Sequence, residues 1–323
     1  MNLTANSALS CTKNKAFFRL TYVELCRIIA LCVKKFYSNG ERMKKWHVYF
    51  NPISGNGTGE KETEKLNDII KEDKVFIDLT KSDMNNLFAQ VGEEDNIVIS
   101  GGDGTLNRLI NETDIGTRKN DIYYFACGSG NDFLRDIKSD SPLVKINEYL
   151  VDLPTVTVKG KTYRFLNGIG YGIDGYCCEK GDELRLKPGK KVNYTSIAIK
   201  GLLFFYKPKN ARITVDGQTY TYKKVWLAPT MNGRYYGGGM NCAPEQDRLN
   251  KDRTVSTVIM YGSGKLKTLM VFPTIFKGEH VGHTEMVEVH TGHEIKVEFD
   301  APCALQIDGE TILGVTEYSV SAK

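Results

Sequence analysis

Apolar and polar residues follow two different patterns along the chain, and the first of them begins just after Met43. Apolar runs of four or five residues, typical of strands buried on both faces, occupy residues 46–50, 75–79, 97–100 and 122–126. Between these strands, apolar residues at helical spacing predict helices at residues 58–71, 83–91 and 105–111. Strands alternating with helices over short connections predict an α/β domain at residues 43–145, with a doubly wound, mostly parallel sheet.

The pattern changes near residue 150 to short runs of β-branched and aromatic residues separated by turns. Asp216-Gly217, between two such runs, is typical of a two-residue hairpin loop. Amphipathic stretches at residues 192–206 and 265–276 predict two helices in this half. We therefore expect a β-rich second domain, sandwich-like or barrel-like, at residues 150–310. The C-terminal strand, within residues 311–323, could return to the first domain, and the sequence does not decide this.

Residues 1–42 form a leader with a composition of its own. They carry seven Lys or Arg against two Glu, so the rest of the chain has a net charge of −1 although the whole chain has +4. The longest uncharged apolar stretch, residues 28–33, is too short to span a membrane, and charges interrupt the apolar centre that a signal peptide needs. An amphipathic or disordered extension and an untranslated segment are both compatible with this. We favour an untranslated segment, because Gly40-Glu41-Arg42 can be encoded by a purine run like a ribosome-binding site ahead of Met43.

Composition narrows the class of protein. Hydrophobic residues make up 41% of the chain and charged residues 25%, which is ordinary for a globular protein, and the nearly neutral body predicts no binding to nucleic acid. Eight cysteines contain no C-x-x-C pair, which favours reduced thiols in a cytoplasmic protein.

Three of the predicted parallel strands end in loops that are rich in glycine or small polar residues. The first loop, residues 51–59, can direct backbone N–H groups at an anion, although a flexible helix-capping loop is about equally favoured, and no Lys-Ser or Lys-Thr closes it as in a Walker A loop. The third strand ends in Gly101-Gly102-Asp103-Gly104-Thr105, where glycines let a bound group approach the backbone and Asp103 can meet a metal-nucleotide. The fourth ends in residues 127–135, which bring Asp132 to the same edge of the sheet. Two acids at this edge suit a phosphate linked to Mg²⁺.

The motifs N-P-x-S-G, G-G-D-G-T and G-S-x-N-D-F-x-R, at residues 51–55, 101–105 and 128–135, resemble the catalytic domain shared by diacylglycerol kinases, sphingosine kinases and soluble bacterial lipid kinases. G-G-D-G-T by itself also occurs in NAD kinases and, nearly, in phosphofructokinases, so the resemblance implies a first domain with that kind of fold. Later stretches are similar to further signatures of the family, and the resemblance runs from about residue 45 to the end. These stretches are residues 165–174, 232–244, 276–280 and 307–310.

The resemblance implies roles for the motif residues, with ATP as the phosphate donor and Mg²⁺ as cofactor. Asp103 would serve the transferring phosphate and its magnesium, with Asp132 close by. Glu310, in Asp308-Gly309-Glu310, would be the general base that takes the proton of the lipid hydroxyl; a surface residue after a hairpin turn is the plainer reading. The implied nucleotide contacts are Asn51, Pro52, Ile53, Ser54, Gly55, Thr80, Gly101, Gly102, Asp103, Gly104, Thr105, Leu106, Asn107, Ser129 and Asp132.

Two further features concern metals. Family members of the bacterial type often hold a structural Mg²⁺ with acids that follow an Ala-Pro. Residues 245–253 of this chain lack the glycine of that pattern and space the acids differently, so the resemblance does not decide whether this chain keeps the Mg²⁺ site. Four histidines at H-x-x-H spacing do not favour zinc, because His290 and His293 flank a turn at Gly292 between strands. Of these histidines, His280 is the one expected to face the cleft.

We therefore predict an ATP-dependent lipid kinase that phosphorylates the hydroxyl of diacylglycerol or a similar lipid, as in phospholipid biosynthesis. It would take its substrate from a membrane surface by peripheral contact, through exposed apolar residues within 202–206. A sphingoid-base or ceramide kinase, a kinase of a soluble substrate such as NAD, and a non-catalytic lipid-binding regulator remain alternatives. Asp103, Asp132 and Glu310 are all present, which favours a catalyst over a regulator. A homodimer stays open.

Overall fold

The chain is divided between two principal β-sheets, and the change from one to the other falls near residue 150. The computed structural model describes residues 44–128, 130–186 and 192–322, and of Thr195 the backbone alone. Residues from Lys44 onward belong to one compact unit, so the two sheets are parts of a single body. The leader lies outside the described residues, and its proposed lack of translation stays a prediction.

The first sheet has the α/β arrangement that the sequence predicts. Its strands are β1 (Trp46–Phe50), β2 (Lys74–Asp78), β3 (Asn96–Gly101), β4 (Ile122–Ala126) and β5 (Val144–Lys145). They lie in the order β2-β1-β3-β4-β5; the first four are parallel, and β5 runs antiparallel to β4. Every residue of β3 is buried, as expected for the central strand of a parallel sheet covered on both faces.

The helices of this half are shorter than predicted. The helix expected at residues 58–71 is broken into short pieces, and the one expected at residues 83–91 is reduced to a 3-10 turn, Met84–Asn86. At this turn the Asp83 carboxylate accepts the N–H of Asn85, a local bond that competes with a longer helix. The helices are α1 (Ser54–Gly57), α2 (Gly59–Thr63), α3 (Leu66–Ile69), α4 (Asp103–Glu112) and α5 (Asp132–Ile137), with 3-10 turns at Ile115–Thr117 and Asn147–Tyr149.

The second half is β-rich, as predicted. Its strands are β6 (Thr155–Val158), β7 (Lys161–Arg164), β8 (Gly168–Tyr171), β9 (Lys209–Val215), β10 (Gln218–Val225), β11 (Thr230–Met231), β12 (Tyr235–Tyr236), β13 (Met240–Asn241), β14 (Val255–Met260), β15 (Val287–Gly292), β16 (Glu294–Ile307) and β17 (Glu310–Ser321). Ten of them form one sheet in the order β15-β14-β11-β8-β16-β17-β6-β7, with β9 beside β16 and β10 beside β9, while β12 and β13 pair separately. All of these pairings are antiparallel. The core of this sheet includes Tyr171, whose ring stacks on Phe299 at 4.0 Å between centroids.

The last strand stays in the second sheet, so a return to the first domain is wrong. β17 pairs with β16 and, near its end, with β6. The two-residue loop Asp308-Gly309, with both residues at positive φ, turns the chain straight back along β16. Burial of Tyr318 and Val320 in the core of that sheet then holds the strand in place.

Three helices cover part of the second sheet: α6 (Ile173–Arg185), α7 (Tyr194–Lys200) and α8 (Lys265–Val271). A π-helical turn, Gly201–Phe205, continues α7, and 3-10 turns Phe272–Lys277 and Glu279–Gly282 follow α8. Their inner faces share one apolar core that contains Leu202, Trp226 and Val271. Among the helices of the described ranges, none has both the length and the apolar character needed to cross a membrane.

The two halves are joined by direct bonds. Asn111 in α4 donates from Nδ2 to the carbonyl oxygen of Arg164 over 3.0 Å and accepts the Arg164 N–H over 2.8 Å. Leu166, from the second half, is buried in the apolar core of the first sheet together with Phe133. Helix α4, which begins at the glycine-rich motif, is therefore attached to the second half near the start of β8.

Candidate functional site

The carboxyl ends of β3 and β4 approach each other through glycine backbone. A Cβ on Gly128 would lie 2.7 Å from the Cα of Gly102, and a Cβ on Gly102 would lie 3.2 Å from the Cα of Gly128. Gly102 is also the N-cap of α4, where free N–H groups and the helix dipole stabilise an anion. The two strand ends therefore form a surface without side chains that suits a phosphate group.

The loop after β1 reaches the same edge of the sheet. Asn51 Nδ2 donates to Thr105 Oγ1 over 3.1 Å, and Ser54 Oγ lies 3.4 Å from that oxygen. Gly55 has a φ of 60°, and a Cβ there would lie 2.5 Å from the carbonyl oxygen of Cys127. The three glycine-rich loops predicted from the sequence thus meet at one place.

Asp103 and Asp132, predicted to share this edge, are in direct contact. Asp103 accepts the N–H of Asp132 at Oδ2 over 2.8 Å and the N–H of Phe133 at Oδ1 over 3.2 Å. Asp132 Oδ2 accepts the N–H of Gly238, from the second half, over 2.7 Å. The other oxygen, Asp132 Oδ1, is buried without a hydrogen-bond partner in the described chain, and Arg135 Nη1 lies 3.7 Å away. Asp132 is therefore a buried carboxylate with one oxygen left over for a ligand.

Burial raises the pKa of both carboxyl groups. For Asp103 the backbone N–H groups that it accepts oppose this rise. For Asp132, burial raises the pKa to about 6; the Gly238 N–H opposes the rise, and the charge of Asp103 adds to it. A Cβ on Gly130 would lie 3.7 Å from Asp103 Oδ2 and 3.9 Å from Asp132 Oδ2. Mg²⁺ in phosphate-transfer sites is typically held by one or two carboxylates plus phosphate oxygens and water, so this pair fits a magnesium ion that arrives with a nucleotide.

A third buried aspartate, Asp174 in the first turn of α6, completes an aspartate cluster with Asp103 and Asp132. Burial raises the pKa of Asp174 to about 7; the Gln306 side chain opposes the rise, and the charge of Asp132 adds to it. Asp174 Oδ2 also has no hydrogen-bond partner among the residues described. Near neutral pH the burial of Asp174 beside the charge of Asp132 therefore favours a bound proton on Asp174.

Asp308, a neighbour of the candidate base Glu310, is bonded to α4 and to the start of β8. The Asp308 carboxylate accepts four bonds: from the N–H groups of Leu166 (2.5 Å), Asn167 (2.8 Å) and Gly168 (2.9 Å), and from Asn107 Nδ2 (3.0 Å). Asn107 lies one helical turn after Asp103, so a rise of about 6 Å along α4 separates the two residues. Glu310 follows two residues after Asp308 and is exposed at the start of β17.

Asn167 provides a second connection between the two motifs. Its backbone N–H binds Asp308, and its side chain lowers the pKa of Asp103, which opposes the effect of burial on that carboxyl group. Asp103 and the hairpin that carries Glu310 are thus linked both through Asn107 and through Asn167.

A buried ion-pair network lies next to this site. Asp136 accepts from Arg248 Nε over 2.5 Å and from Arg234 Nε over 2.7 Å, and all three belong to different segments of the chain. Arg248 also donates to Asn167 Oδ1 over 3.1 Å and lies over the ring of Phe133, with its Cζ 4.8 Å from the ring centroid. The network fixes α5, and with it Asp132, against the second half.

Side-chain amides hold residues 245–254 together. The family resemblance left undecided whether this segment keeps a structural Mg²⁺ site. Gln246 Nε2 donates to the carbonyl oxygen of Thr254 over 2.9 Å, and Asn250 Nδ2 donates to those of Asp247 (2.6 Å) and Thr254 (2.9 Å). Within residues 44–128, 130–186 and 192–322, no group of three or more His, Cys, Asp or Glu is arranged to hold a metal. Side-chain amides bonded to backbone carbonyl oxygens therefore hold this segment together.

Some predicted site residues have other partners. Thr80 donates from both N and Oγ1 to Asp78 at the end of the edge strand β2, and Ile53 is exposed. The side chain of Leu106 is buried in the core of the first sheet and that of Asn107 is bound to Asp308, and the nucleotide contacts of these two residues stay predictions. Ser129 lies outside the described residues.

The expectation that His280 faces the cleft is wrong. The side chain is fully buried, and its Nε2 lies 2.9 Å from the carbonyl oxygen of Cys242. Burial lowers the pKa of His280 to about 4, so the ring is neutral at physiological pH. This histidine stabilises the packing below β13 rather than lining a cleft.

Sequence reasoning gave no role to several residues of the site. Asp174 and Asn167 lie inside stretches that resemble the family. Each is a polar residue among glycines and apolar residues, and this contrast could have marked both as site residues. The partners of Asp136 gave no such signal, because Arg234 and Arg248 are about a hundred residues away in the sequence.

Comparison with known families agrees with this geometry. A family model described as "Diacylglycerol kinase catalytic domain" matches residues 45–159, which contain the three glycine-rich loops. A second, described as "YegS C-terminal NAD kinase beta sandwich-like domain", matches residues 167–320, which contain most of the antiparallel sheet.

Individual relatives match over most of the chain. Diacylglycerol kinase of Mycobacterium tuberculosis (strain CDC 1551 / Oshkosh) is 27% identical over 271 residues, which cover 78% of this chain and 84% of the relative. The Bacillus subtilis (strain 168) protein named "Putative lipid kinase YtlR" is 23% identical over 312 residues, 87% of this chain and 97% of its own. A crystal structure of a diacylglycerol kinase from Bacillus anthracis str. Sterne has the same fold, with a TM-score of 0.54 at 17% identity over 86% of this chain and 94% of the other. With both domain families matched in order and the glycine-rich loops and aspartates gathered at one edge, this chain belongs to the diacylglycerol kinase-like family of bacterial lipid kinases.

Proposed function

We propose that this lipid kinase uses ATP to phosphorylate the free hydroxyl of diacylglycerol. The observation that carries the proposal is the Asp308 carboxylate, which binds Asn107 of the glycine-motif helix and three N–H groups of the second half. With Asp308 bonded in this way, Glu310 would lie near the strand ends that suit a phosphate. A donor phosphate and a proton acceptor are what transfer to an alcohol requires.

The nucleotide would lie along the three glycine-rich loops. Its phosphates would face the Gly102 and Gly128 backbone and the N-terminus of α4, where bare N–H groups stabilise negative charge. Asp103 and Asp132 would hold the Mg²⁺, which neutralises phosphate charge when it is bound. Asp132 Oδ1, which has no hydrogen-bond partner among the described residues, is the atom that supports this assignment best.

The reaction forms one bond and breaks another. The lipid hydroxyl oxygen attacks the γ-phosphorus, the bond from that phosphorus to the β,γ-bridging oxygen breaks, and ADP leaves. Glu310 would take the hydroxyl proton as the new bond forms, because the alcohol becomes acidic only at that stage. Asp308 does not touch the reacting atoms in this mechanism and acts as a positioning residue for Glu310.

Diacylglycerol is the acceptor we favour. It is the lipid named for the Mycobacterium tuberculosis relative, which this chain matches over 84% of that protein's length. Sphingoid bases and ceramide offer a similar primary hydroxyl, so they belong in the same assay. A soluble acceptor such as NAD is less favoured, because Asp308-Gly309-Glu310 and the Asn131-Asp132-Phe133 motif, which resemble the lipid kinases, are both present.

Phosphate transfer from radiolabelled ATP to a panel of lipids and to NAD tests this function. Diacylglycerol should be labelled best, and Glu310→Gln should lower kcat by roughly 10²- to 10⁴-fold, the range for loss of a general base. Glu317→Gln, on the same strand and also exposed, is the matched control and should keep the wild-type rate. Labelling of NAD alone, or full activity of Glu310→Gln, would refute the proposal.

A further inference from the structure

We propose that an apolar ridge, formed by Phe204, Phe205, Leu266 and Met270, docks this protein on a lipid surface with negatively charged headgroups. The inference rests on the proposed function, since a kinase of a membrane lipid must reach an acceptor that stays in a bilayer. It also changes the sequence-based expectation for residues 202–206, because Leu202 and Tyr206 are buried and only part of that segment faces solvent.

The ridge lies on two neighbouring elements that share one core. The π-helical turn Gly201–Phe205 contacts α8, and Lys265 Nζ donates to the carbonyl oxygen of Leu203 over 2.9 Å. Leu202 from the turn and Val271 from α8 point into the same apolar cluster. The opposite faces of both elements are then left to solvent, and those faces carry the ridge.

The exposure of the ridge is large for apolar side chains. Phe204 is 70% exposed, Phe205 65%, Leu266 70% and Met270 63%. For aromatic side chains of about 150–250 Å², the two phenylalanines alone leave roughly 200–340 Å² in solvent. Contiguous apolar patches of a few hundred Å² on soluble proteins commonly mark binding surfaces.

The charge around the ridge identifies the partner. Residues 193–207 and 264–277 contain five lysines and no Asp or Glu, although Lys/Arg and Asp/Glu are nearly balanced over the whole chain, 43 against 39. One of them, Lys267, pairs with Glu285 from outside these segments, at 2.9 Å. The remaining four are Lys200, Lys207, Lys265 and Lys277. Segments that combine exposed aromatic and aliphatic side chains with lysines and no acids have the composition that binds anionic bilayers.

The ridge is also connected to the site. Helix α6, whose first turn carries Asp174, packs against both α7 and the π-helical turn. A bilayer under the ridge would therefore lie beside a helix that begins in the aspartate cluster. This continuity favours a lipid surface over a second protein copy, for which the lysines would be repulsive.

Flotation with lipid vesicles tests the docking surface without any need for catalysis. We expect wild-type protein to bind vesicles of phosphatidylcholine with phosphatidylglycerol, and to bind pure phosphatidylcholine more weakly. The double variant Phe204→Asn with Phe205→Asn should bind the anionic vesicles roughly tenfold less, or weaker still, because it loses both inserted rings. Lys207→Gln with Lys277→Gln should lose the preference for anionic vesicles, and added salt should have the same effect on wild type.

The matched controls alter exposed residues on other surfaces. Val289→Asn with Leu313→Asn replaces two exposed apolar residues on β15 and β17, and Lys161→Gln with Lys223→Gln replaces two exposed lysines. Both controls should float like wild type. Equal flotation of the phenylalanine variant and wild type, or a change in oligomeric state of that variant without a change in flotation, would overturn the proposal.

Activity on two forms of diacylglycerol separates this inference from the proposed function. With a short-chain diacylglycerol in solution, the phenylalanine variant should keep the wild-type rate, whereas with diacylglycerol in anionic vesicles its rate should fall in parallel with binding. Vesicle binding through the ridge without labelling of any lipid would leave the docking surface standing and refute the lipid kinase reaction.

Discussion

Replacement of Asp174 by Asn is expected to stabilise the ligand-free protein at neutral and alkaline pH. The pKa of Asp174 is raised to about 7 by burial, above its ordinary value of 3.8. Between these two values the folded state keeps a proton that the unfolded state has released. The free energy of unfolding therefore falls as the pH rises through this window, and asparagine, which cannot ionise, removes this part of the fall.

The size of the effect follows from the two pKa values. Their separation of about 3, at about 1.36 kcal/mol for each pKa unit, amounts to a cost of about 4 kcal/mol once the carboxyl group is fully ionised. About 2.5 kcal/mol of this cost develops between pH 5 and pH 8. Asp132, whose pKa is raised to about 6, contributes in the same direction, and its ionisation becomes easier when the charge of Asp174 is gone.

Urea unfolding at pH 5, 6, 7 and 8, in EDTA and without nucleotide, measures this difference. The free energy of unfolding of Asp174→Asn minus that of wild type should grow by about 2.5 kcal/mol from pH 5 to pH 8. Asp68→Asn, at an exposed position in α3, should show no such growth. If the Asp174→Asn and wild-type curves run parallel across this range, Asp174 is not a buried acid with a raised pKa and the reasoning is refuted.

Two further predictions concern how the site is built. Asp136→Asn should lower the free energy of unfolding by about 3 kcal/mol, because it leaves the guanidinium groups of Arg234 and Arg248 without a charged partner. Urea unfolding measures this loss beside the exposed control Asp140→Asn. A loss no greater than that of the control would contradict the ion-pair network. Gly128→Ala should weaken ATP binding by roughly tenfold or more, since its Cβ would lie 2.7 Å from the Cα of Gly102 and force β3 and β4 apart. Calorimetric titration with ATP measures this against Gly282→Ala, where a Cβ would meet nothing within 4 Å, and equal affinities would refute the close approach.

The sequence was sufficient for the elements whose burial pattern is local. Strand β4 spans the predicted residues 122–126, and β3 extends the predicted run by one residue at each end, because continuous apolar runs identify strands buried on both faces. The helix expected at residues 83–91 failed because Asp83 makes a local bond that periodicity does not register.

Long-range partners are what the sequence could not provide. The three glycine-rich loops were found as separate motifs, and parallel-sheet topology sufficed to bring them to one edge. That Asp308 would bind Asn107, about two hundred residues earlier, is a property of the folded chain alone. The same holds for the path of β17, whose place in the second sheet depends on its neighbours β16 and β6.

The four bonds to Asp308 have a consequence for motion during turnover. Opening the halves at this point would break the bond from Asn107, whereas the three N–H groups of the second half would stay bonded to the carboxylate. We therefore expect the hairpin that carries Glu310 to move as one piece with the start of β8 whenever the two halves separate.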